Sequence, residues 1–171
     1  MLIRQAEKSD FEEMWSIFQA VVASGESYVF SPEATQDDAW EYWFGRGVTS
    51  YVAEIDGQIA GMYKLIANQR DLGSHVANAS FMVSPAVHGL GVGKALGRHC
   101  LDEARKAGFR AMQFNYVVNT NTVAVELWKK LGFRIVGTLP GAFSHRKLGY
   151  VDVHVMYRFL DETMQRTWNC S

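Results

Sequence analysis

The chain predicts a mixed α/β fold, and three observations carry that reading. An apolar run, Ala79 to Val83, precedes three glycines at alternate positions, Gly89, Gly91 and Gly93, which open an apolar-periodic segment; the order is strand, glycine loop, helix. Asp56-Gly57 joins two strand-like segments in the manner of a tight hairpin. Ser9-Asp10-Phe11-Glu12 has the spacing of a capping box, and Phe11, Met14, Trp15, Phe18, Val21 and Val22 follow it at helical intervals.

Taken in order, Leu2 to Ala6 reads as a short strand and residues 10–23 as an amphipathic helix. Ser24 to Thr35 is a loop, and Gln36 to Phe44, rich in Trp and Tyr, is a second helix. Ser50 to Glu54 and Gln58 to Ile66 are the hairpin strands, Asn68 to Ser74 a loop, and His75 to Val83 a strand that Pro85 stops. The helix after the glycines buries Val92, Ala95, Leu96, Cys100, Ala104 and Ala107, and Gly108 ends it. Ala111 to Val118 is a strand. Ala124, Leu127, Trp128 and Leu131 form one face of the next helix, which Gly132 terminates. Phe133 to Leu139 is a strand, Pro140-Gly141 breaks the chain, and Tyr150 to Phe159 is the last strand. The order is β-α-α-β-β-β-α-β-α-β-β.

At 171 residues the expectation is one domain spanning 1–171. A hydrophobic share of 48% and a charged share of 20% are ordinary for a globular protein. The net charge of −1 gives no reason to expect nucleic acid as a partner. No apolar run has membrane length, and Met1-Leu2-Ile3-Arg4 enters a strand directly, so the expectation is a cytoplasmic protein without a membrane partner. Cys100 and Cys170 read as free thiols, and the five histidines show no metal-ligand spacing.

Glycine permits φ > 0 and close approach of backbone to a ligand. The first N–H groups of a helix lack internal partners and carry the positive end of its dipole. Gly89 to Lys94 therefore reads as an anion site, most often one for phosphate. It is not a P-loop, because residue 88 is His where the first glycine belongs and residue 95 is Ala where a hydroxyl belongs. It is not a dinucleotide loop, because Lys94 or Leu96 falls in the third glycine slot.

The remaining pattern, His88-Gly89-Leu90-Gly91-Val92-Gly93, resembles the acyl-CoA pyrophosphate loop of the GCN5-related N-acetyltransferases (GNAT), with His88 where Arg or Gln is common. About thirty residues on, Asn121-Thr-Val-Ala124-Val-Glu-Leu127-Trp128-Lys-Lys130-Leu-Gly132-Phe133 is similar to that family's Asn-x-x-Ala-x-x-Leu-Tyr-x-Lys-x-Gly-Phe segment. The resemblance covers roughly residues 2–159. It implies a GNAT fold in which strands 75–83 and 111–118 splay apart, with acetyl-CoA as co-substrate and no metal. It puts Phe81, Met82 and Val83 beside pantetheine. It makes Gly89, Gly91, Val92, Gly93, Lys94 and Ala95 pyrophosphate donors, with His88 and Leu90 in the same loop and Asn121, Ala124 and Lys130 as further coenzyme contacts. A homodimer is a family-level expectation.

Acetyl transfer requires a neutral amine, stabilisation of the thioester oxygen, and a hydrogen bond or proton for the leaving thiolate. The family's Tyr acid is replaced by Trp128, whose indole can donate a hydrogen bond but is no acid. Asn115, unusual in mid-strand, is placed by alternation on the face opposite Phe114 and Tyr116, compatible with the cleft. Asn121 opens a helix and reads equally as its cap. The asparagine-rich strand with Leu127-Trp128 is similar to fungal N-acetyltransferases of azetidine-2-carboxylate and other proline analogues. That likeness implies thiol-side roles for Asn115, Asn121 and Trp128, and a substrate role for Asn78. Segment 144–154 resembles the phosphinothricin acetyltransferase branch. In the loop after the first helix, Tyr28 and Phe30 are candidates for an apolar wall and Glu26 for holding a cationic amine. Glu54 through a water, His145 and His154 are candidate bases, each with a plain structural reading beside it. The expected acceptor is a small amine or amino acid, possible proline analogues included; a peptide acetyltransferase and a non-catalytic acyl-CoA sensor are the alternatives.

Overall fold

The computed structural model describes residues 1–169, so Cys170 lies outside the described residues. The elements are β1 (Leu2–Gln5), α1 (Phe11–Ser24), α2 (Gln36–Phe44), β2 (Thr49–Ile55), β3 (Gln58–Ala67), β4 (Val76–Val83), α3 (Val92–Lys106), β5 (Ala111–Val118), α4 (Thr122–Lys130), β6 (Arg134–His145), β7 (Gly149–Phe159) and α5 (Glu162–Asn169). Seven strands form one sheet in the order β1-β2-β3-β4-β5-β7-β6. Every pairing is antiparallel except β4 with β5.

Alternation along the strands feeds two cores. Ala53, Tyr63, Leu65, Ala77, Ala79, Met112 and Phe114 face α3 and α4 and bury Leu96, Cys100, Val125 and Trp128. Val52, Met62 and Met82 face the other side, under Met14, Phe18 and Val22 of α1 and Trp43 of α2. At Gly61 α3 presses close on the sheet: an added Cβ would stand 3.1 Å from a Val92 methyl and 3.2 Å from a Leu96 methyl.

Several boundaries differ from expectation for identifiable reasons. The Ser9 box does not form. Asp10 instead accepts from the Glu7 N–H at 2.7 Å and is clamped by the Arg4 guanidinium at 2.8 Å through both oxygens, so a short 3-10 turn, Lys8–Asp10, precedes α1. The last two strands form one long hairpin. Pro140-Gly141 does not end β6; the strand passes through it by a register shift between Leu139 and Phe143. β6 is an edge strand, so Pro140 interrupts no ladder on its outer side. The sequence reading had no α5; Gln165 anchors it, its side chain accepting from the Phe159 N–H at 2.8 Å and donating to Gly132 O at 3.0 Å.

Candidate active site

The parallel pair β4 and β5 is joined only at Val76–Ala111 and Ala77–Met112, and a gap opens between the strands beyond that point. Ser84 donates to Ala60 O on the β3 side. By alternation the even-numbered β4 peptides face β3, and those of Ala79, Phe81 and Val83 face the gap. On the α3/α4 side the gap is floored by aromatic rings. Trp128 lies 4.7 Å from Phe81 of β4 and 4.8 Å from Phe114 of β5, and Phe133 stacks on Phe114 at 4.3 Å. This wedge holds the two strands apart.

The gap leads to the glycine loop. Gly89 and Gly91 have φ of +86° and +79°, a region costly to residues with a Cβ, and a Cβ at either would project into open space. Gly91 caps α3 without a side-chain hydrogen bond. The N–H groups of Val92, Gly93 and Lys94 have no intrahelical acceptor. An open, positively polarised cradle of backbone donors at the mouth of a strand gap fits a pyrophosphate joined to an extended arm. Two loop residues do not fit as donors. The Ala95 N–H is committed to Gly91 O at 3.1 Å, and the Leu90 N–H to Val87 O at 3.3 Å. His88 is exposed at the start of the loop.

Lys130 lies away from this cradle. Gly93 packs against Leu127, and Gly97 against Leu131 and Trp128, so α3 and α4 run side by side in one sense. Lys130 is therefore level with the second turn of α3, in a cleft it shares with Arg98, Arg105 and Arg158. Asn121 caps α4, its Oδ1 accepting from the Ala124 N–H at 3.2 Å; this bond also takes up Ala124. Trp128 is 7% exposed within the wedge, and truncating such a ring costs on the order of 3–5 kcal/mol, so its evident work is packing.

Met82 points into the α1/α2 core. On that face Asn78 stands opposite Ile66, and Ser80 opposite Lys64. Asn115 shares the face, but simple alternation fails beside it. The register between β5 and β7 shifts between Phe114 and Val117, leaving Tyr116 exposed and bonded to Ala142 O instead of beside Phe114. Asn115 donates to Asn68 Oδ1 at 2.6 Å and accepts from Gln113 at 2.8 Å. Asn68, Gln113 and Asn115 thus form an amide cluster.

The loop after α1 departs most from expectation. Glu26 is not free for an amine: the Lys147 ammonium sits 2.5 Å from it and holds the carboxyl below its usual pKa. Arg146 donates to Ala23 O at 2.9 Å and its N–H to Gly25 O at 3.1 Å, so the β6–β7 hairpin straps this loop down. Tyr28 does not line the neighbouring cleft. Its hydroxyl donates to Phe81 O at 2.6 Å and accepts from the Phe81 N–H at 3.0 Å, filling a backbone rung of the gap. Burial, then the neighbouring Tyr42, push this phenol well above its usual pKa. Phe30 meets Phe18 and Tyr42 at 5.0 and 4.8 Å and does line the cleft.

The candidate bases are engaged elsewhere. Glu54 is bound by Arg4 across β1 and β2. His145 Nδ1 accepts from the Lys147 and Leu148 N–H groups at 3.1 and 3.3 Å. His154 is bonded to Thr138 Oγ1 at 2.9 Å. Among the described residues no group of three His, Cys, Asp or Glu could hold a metal, and no helix is long and apolar enough to cross a membrane.

Lys64 was missed by the sequence reading. It stands on β3 between Met62 and Ile66, on the α1/α2 face, with its ammonium 3.2 Å over the Tyr42 ring. Burial lowers its pKa to about 8. The Tyr42 hydroxyl donates to Ser80 Oγ at 2.7 Å, which fixes the ring. A charge within an otherwise apolar strand was the available signal.

Comparison with known proteins agrees with this geometry. Residues 8–133 match the Acetyltransferase (GNAT) family. The chain is 32% identical over 111 residues to N-acetyltransferase aca1 of Schizosaccharomyces pombe, covering 63% of this chain and spanning about half, 53%, of that protein. It is 30% identical over 162 residues to the L-amino acid N-acetyltransferase AaaT of Escherichia coli, covering 92% of this chain and 97% of the relative. Among solved structures, a GCN5-related N-acetyltransferase from Kribbella flavida is 44% identical with a TM-score of 0.87, over 92% of this chain and 96% of that one. The yncA protein of Salmonella typhimurium, solved with its cofactor acetyl-CoA, is 26% identical with a TM-score of 0.83, over 95% of both chains. With its opened β4–β5 pair, its glycine cradle and a match over most of its length, the chain belongs to the GNAT family of acetyltransferases.

Proposed function

We propose that the protein transfers the acetyl group of acetyl-CoA to the amine of a small amino-acid-like acceptor by direct attack in a ternary complex. The observation that carries this is continuity: the cradle at Gly89–Lys94 opens into the gap along the β4 edge, where the Tyr28 hydroxyl holds the Phe81 rung that an incoming arm would displace. The 26%-identical yncA binds acetyl-CoA, and the 30%-identical AaaT acts on L-amino acids.

Pantetheine pairs with the β4 edge and places the thioester beside Phe81. The neutral amine attacks the carbonyl carbon; the C–N bond forms, the C–S bond breaks, and the thiolate takes a proton. The gap-facing N–H groups of β4 stabilise the oxygen as charge develops on it. The amine proton leaves to water, since Glu54 and His145 are bound elsewhere. Asn78, Ser80 and Asn115 line the acceptor side.

The test is free-thiol release from acetyl-CoA against amino acids, proline analogues, phosphinothricin, simple amines and short peptides. Selective turnover of free amino acids supports the reading. Turnover of peptides alone makes the protein a peptide acetyltransferase. Coenzyme binding with no transfer to any amine overturns the enzyme reading in favour of a sensor.

A further inference from the structure

We infer that the Lys64 ammonium anchors the carboxylate of an α-amino-acid acceptor, in the cleft between α2 and β3; this rests on the acetyltransferase reading above. The cleft, about 350 Å³, is lined by Phe30, Asp38, Glu41, Tyr42, Arg46 and Lys64 among others. It lies on the same face of the sheet as Asn78, Ser80 and Asn115.

Lys64 differs from the lysines that are neutralised on this protein. Lys106, Lys129 and Lys147 each meet a carboxylate, at 2.6, 2.9 and 2.5 Å. No carboxylate stands within ion-pair distance of Lys64 among the described residues, although two share its cleft. Asp38 Oδ2 is taken up by the Thr35 N–H and hydroxyl at 2.8 and 2.7 Å, closing the cap of α2. Glu41 and Arg46 are exposed at the rim. Facing Lys64 are the Tyr42 ring from α2, Ile66 on its own strand and Ser80 from β4. A ring face attracts a cation but accepts few of its hydrogen bonds; an ammonium has three donors. A half-buried ammonium with donors to spare suits an anion that arrives with the substrate.

Position sets which anion. Lys64 pairs directly with Ser80, and the next residue, Phe81, turns its backbone groups to the gap, where the Tyr28 hydroxyl holds them until the thioester arm takes its place. Neighbouring strands lie about 4.8 Å apart. An α-amino acid carries its amine one carbon from its carboxyl group. With the carboxylate on Lys64, the amine lies over β4 and points to the thioester beside Phe81. Asp38 and Glu41 on the outer wall disfavour a second negative charge. The acceptor class is a monocarboxylate amino acid. Burial of the ammonium, which lowers its pKa to about 8, adds to the same argument: a bound carboxylate relieves that cost.

The experiment uses the full-length enzyme at saturating acetyl-CoA, with L-methionine, L-leucine and L-proline against their primary amides, rates being referred to the neutral amine. Wild type, Lys64→Met and Lys64→Arg are compared. Expected is a lower KM for acids than amides in the wild type. Lys64→Met raises the KM for acids at least tenfold with kcat little changed and leaves the amides within twofold; Lys64→Arg restores most of the preference. Equal KM for acids and amides in the wild type, turnover of the amides alone, or an equal loss on both classes in Lys64→Met overturns the anchor and leaves acetyl transfer standing. Turnover of neither class with acetyl-CoA binding intact overturns the amino-acid acceptor and the anchor together.

Discussion

The phenol oxygen of Tyr28 stands 2.6 Å from the carbonyl oxygen and 3.0 Å from the amide nitrogen of Phe81, joining a loop to a strand 53 residues away. One hydroxyl thereby satisfies both backbone polar groups of a residue that faces the β4–β5 gap. On the proposed path of the coenzyme arm along this edge, Tyr28 and the arm compete for one rung.

Replacing Tyr28 by Phe removes the competitor and leaves the Phe81 peptide without its partner. The free protein should lose about 1–3 kcal/mol. Acetyl-CoA should bind more tightly, because nothing has to be displaced. Denaturant melts and titration calorimetry together check both signs; unchanged stability with weaker coenzyme binding would refute the competition.

Gly91→Val should abolish acetyl-CoA binding in a protein that stays folded. The position has φ +79° and a Cβ there would project into the open cradle. Gly93→Ala is the control: its Cβ would make ordinary contacts, 3.5 Å to Leu127 and 3.8 Å to Val83. Circular dichroism and coenzyme calorimetry separate the two.

The asparagines should divide by role. Asn121→Ala loses the α4 cap and should cost about 1 kcal/mol of stability, with turnover falling only as far as the helix start moves. Asn115→Ala should raise the acceptor KM severalfold, since Asn115 belongs to the amide cluster with Asn68 and Gln113, and leave coenzyme affinity alone. Steady-state kinetics with each substrate varied in turn distinguishes them; full turnover with a normal acceptor KM in Asn115→Ala would remove it from the site.

Lys64 gives stability a definite pH sign. Its folded pKa, about 8, lies below the unfolded value of roughly 10.4. Below pH 8 both states hold the proton and the folded state bears the full burial cost. Between about pH 8 and 10.4 the unfolded state binds more protons, so this group's contribution makes the protein more stable as pH rises. Lys64→Met should therefore gain most over wild type at pH 7 and lose that advantage by pH 10, as urea titrations at the two pH values would show. In catalysis the sign reverses: the acceptor KM should climb above pH 8 as the ammonium is lost.

What the sequence made legible was local. A φ above zero restricts the loop positions to glycine, and a helix cap lies within three residues of the N–H it satisfies, so Gly89, Gly91 and Asn121 could be read directly. What it concealed was made by tertiary partners. Arg4 clamps Asp10 and moves the cap of α1; the register shift beside Asn115 breaks the alternation that placed its neighbours. Glu26 looked free for a substrate because Lys147, which neutralises it, comes from a hairpin 121 residues on. Tyr28 read as part of an apolar wall, since nothing near it in the chain points to its bonds with Phe81.

The strap from Arg146 and Lys147 to Ala23, Gly25 and Glu26 divides the inheritance of the site. The family match spans residues 8–133 and includes the loop after α1, while the hairpin that holds this loop lies beyond it. On the proposed reading, changes in the hairpin reach the loop after α1 without altering the loop's own sequence, through the contacts of Arg146 and Lys147. Because β7 also pairs with β5, the same hairpin exchanged between relatives would act on the wall of the gap as well as on the loop after α1.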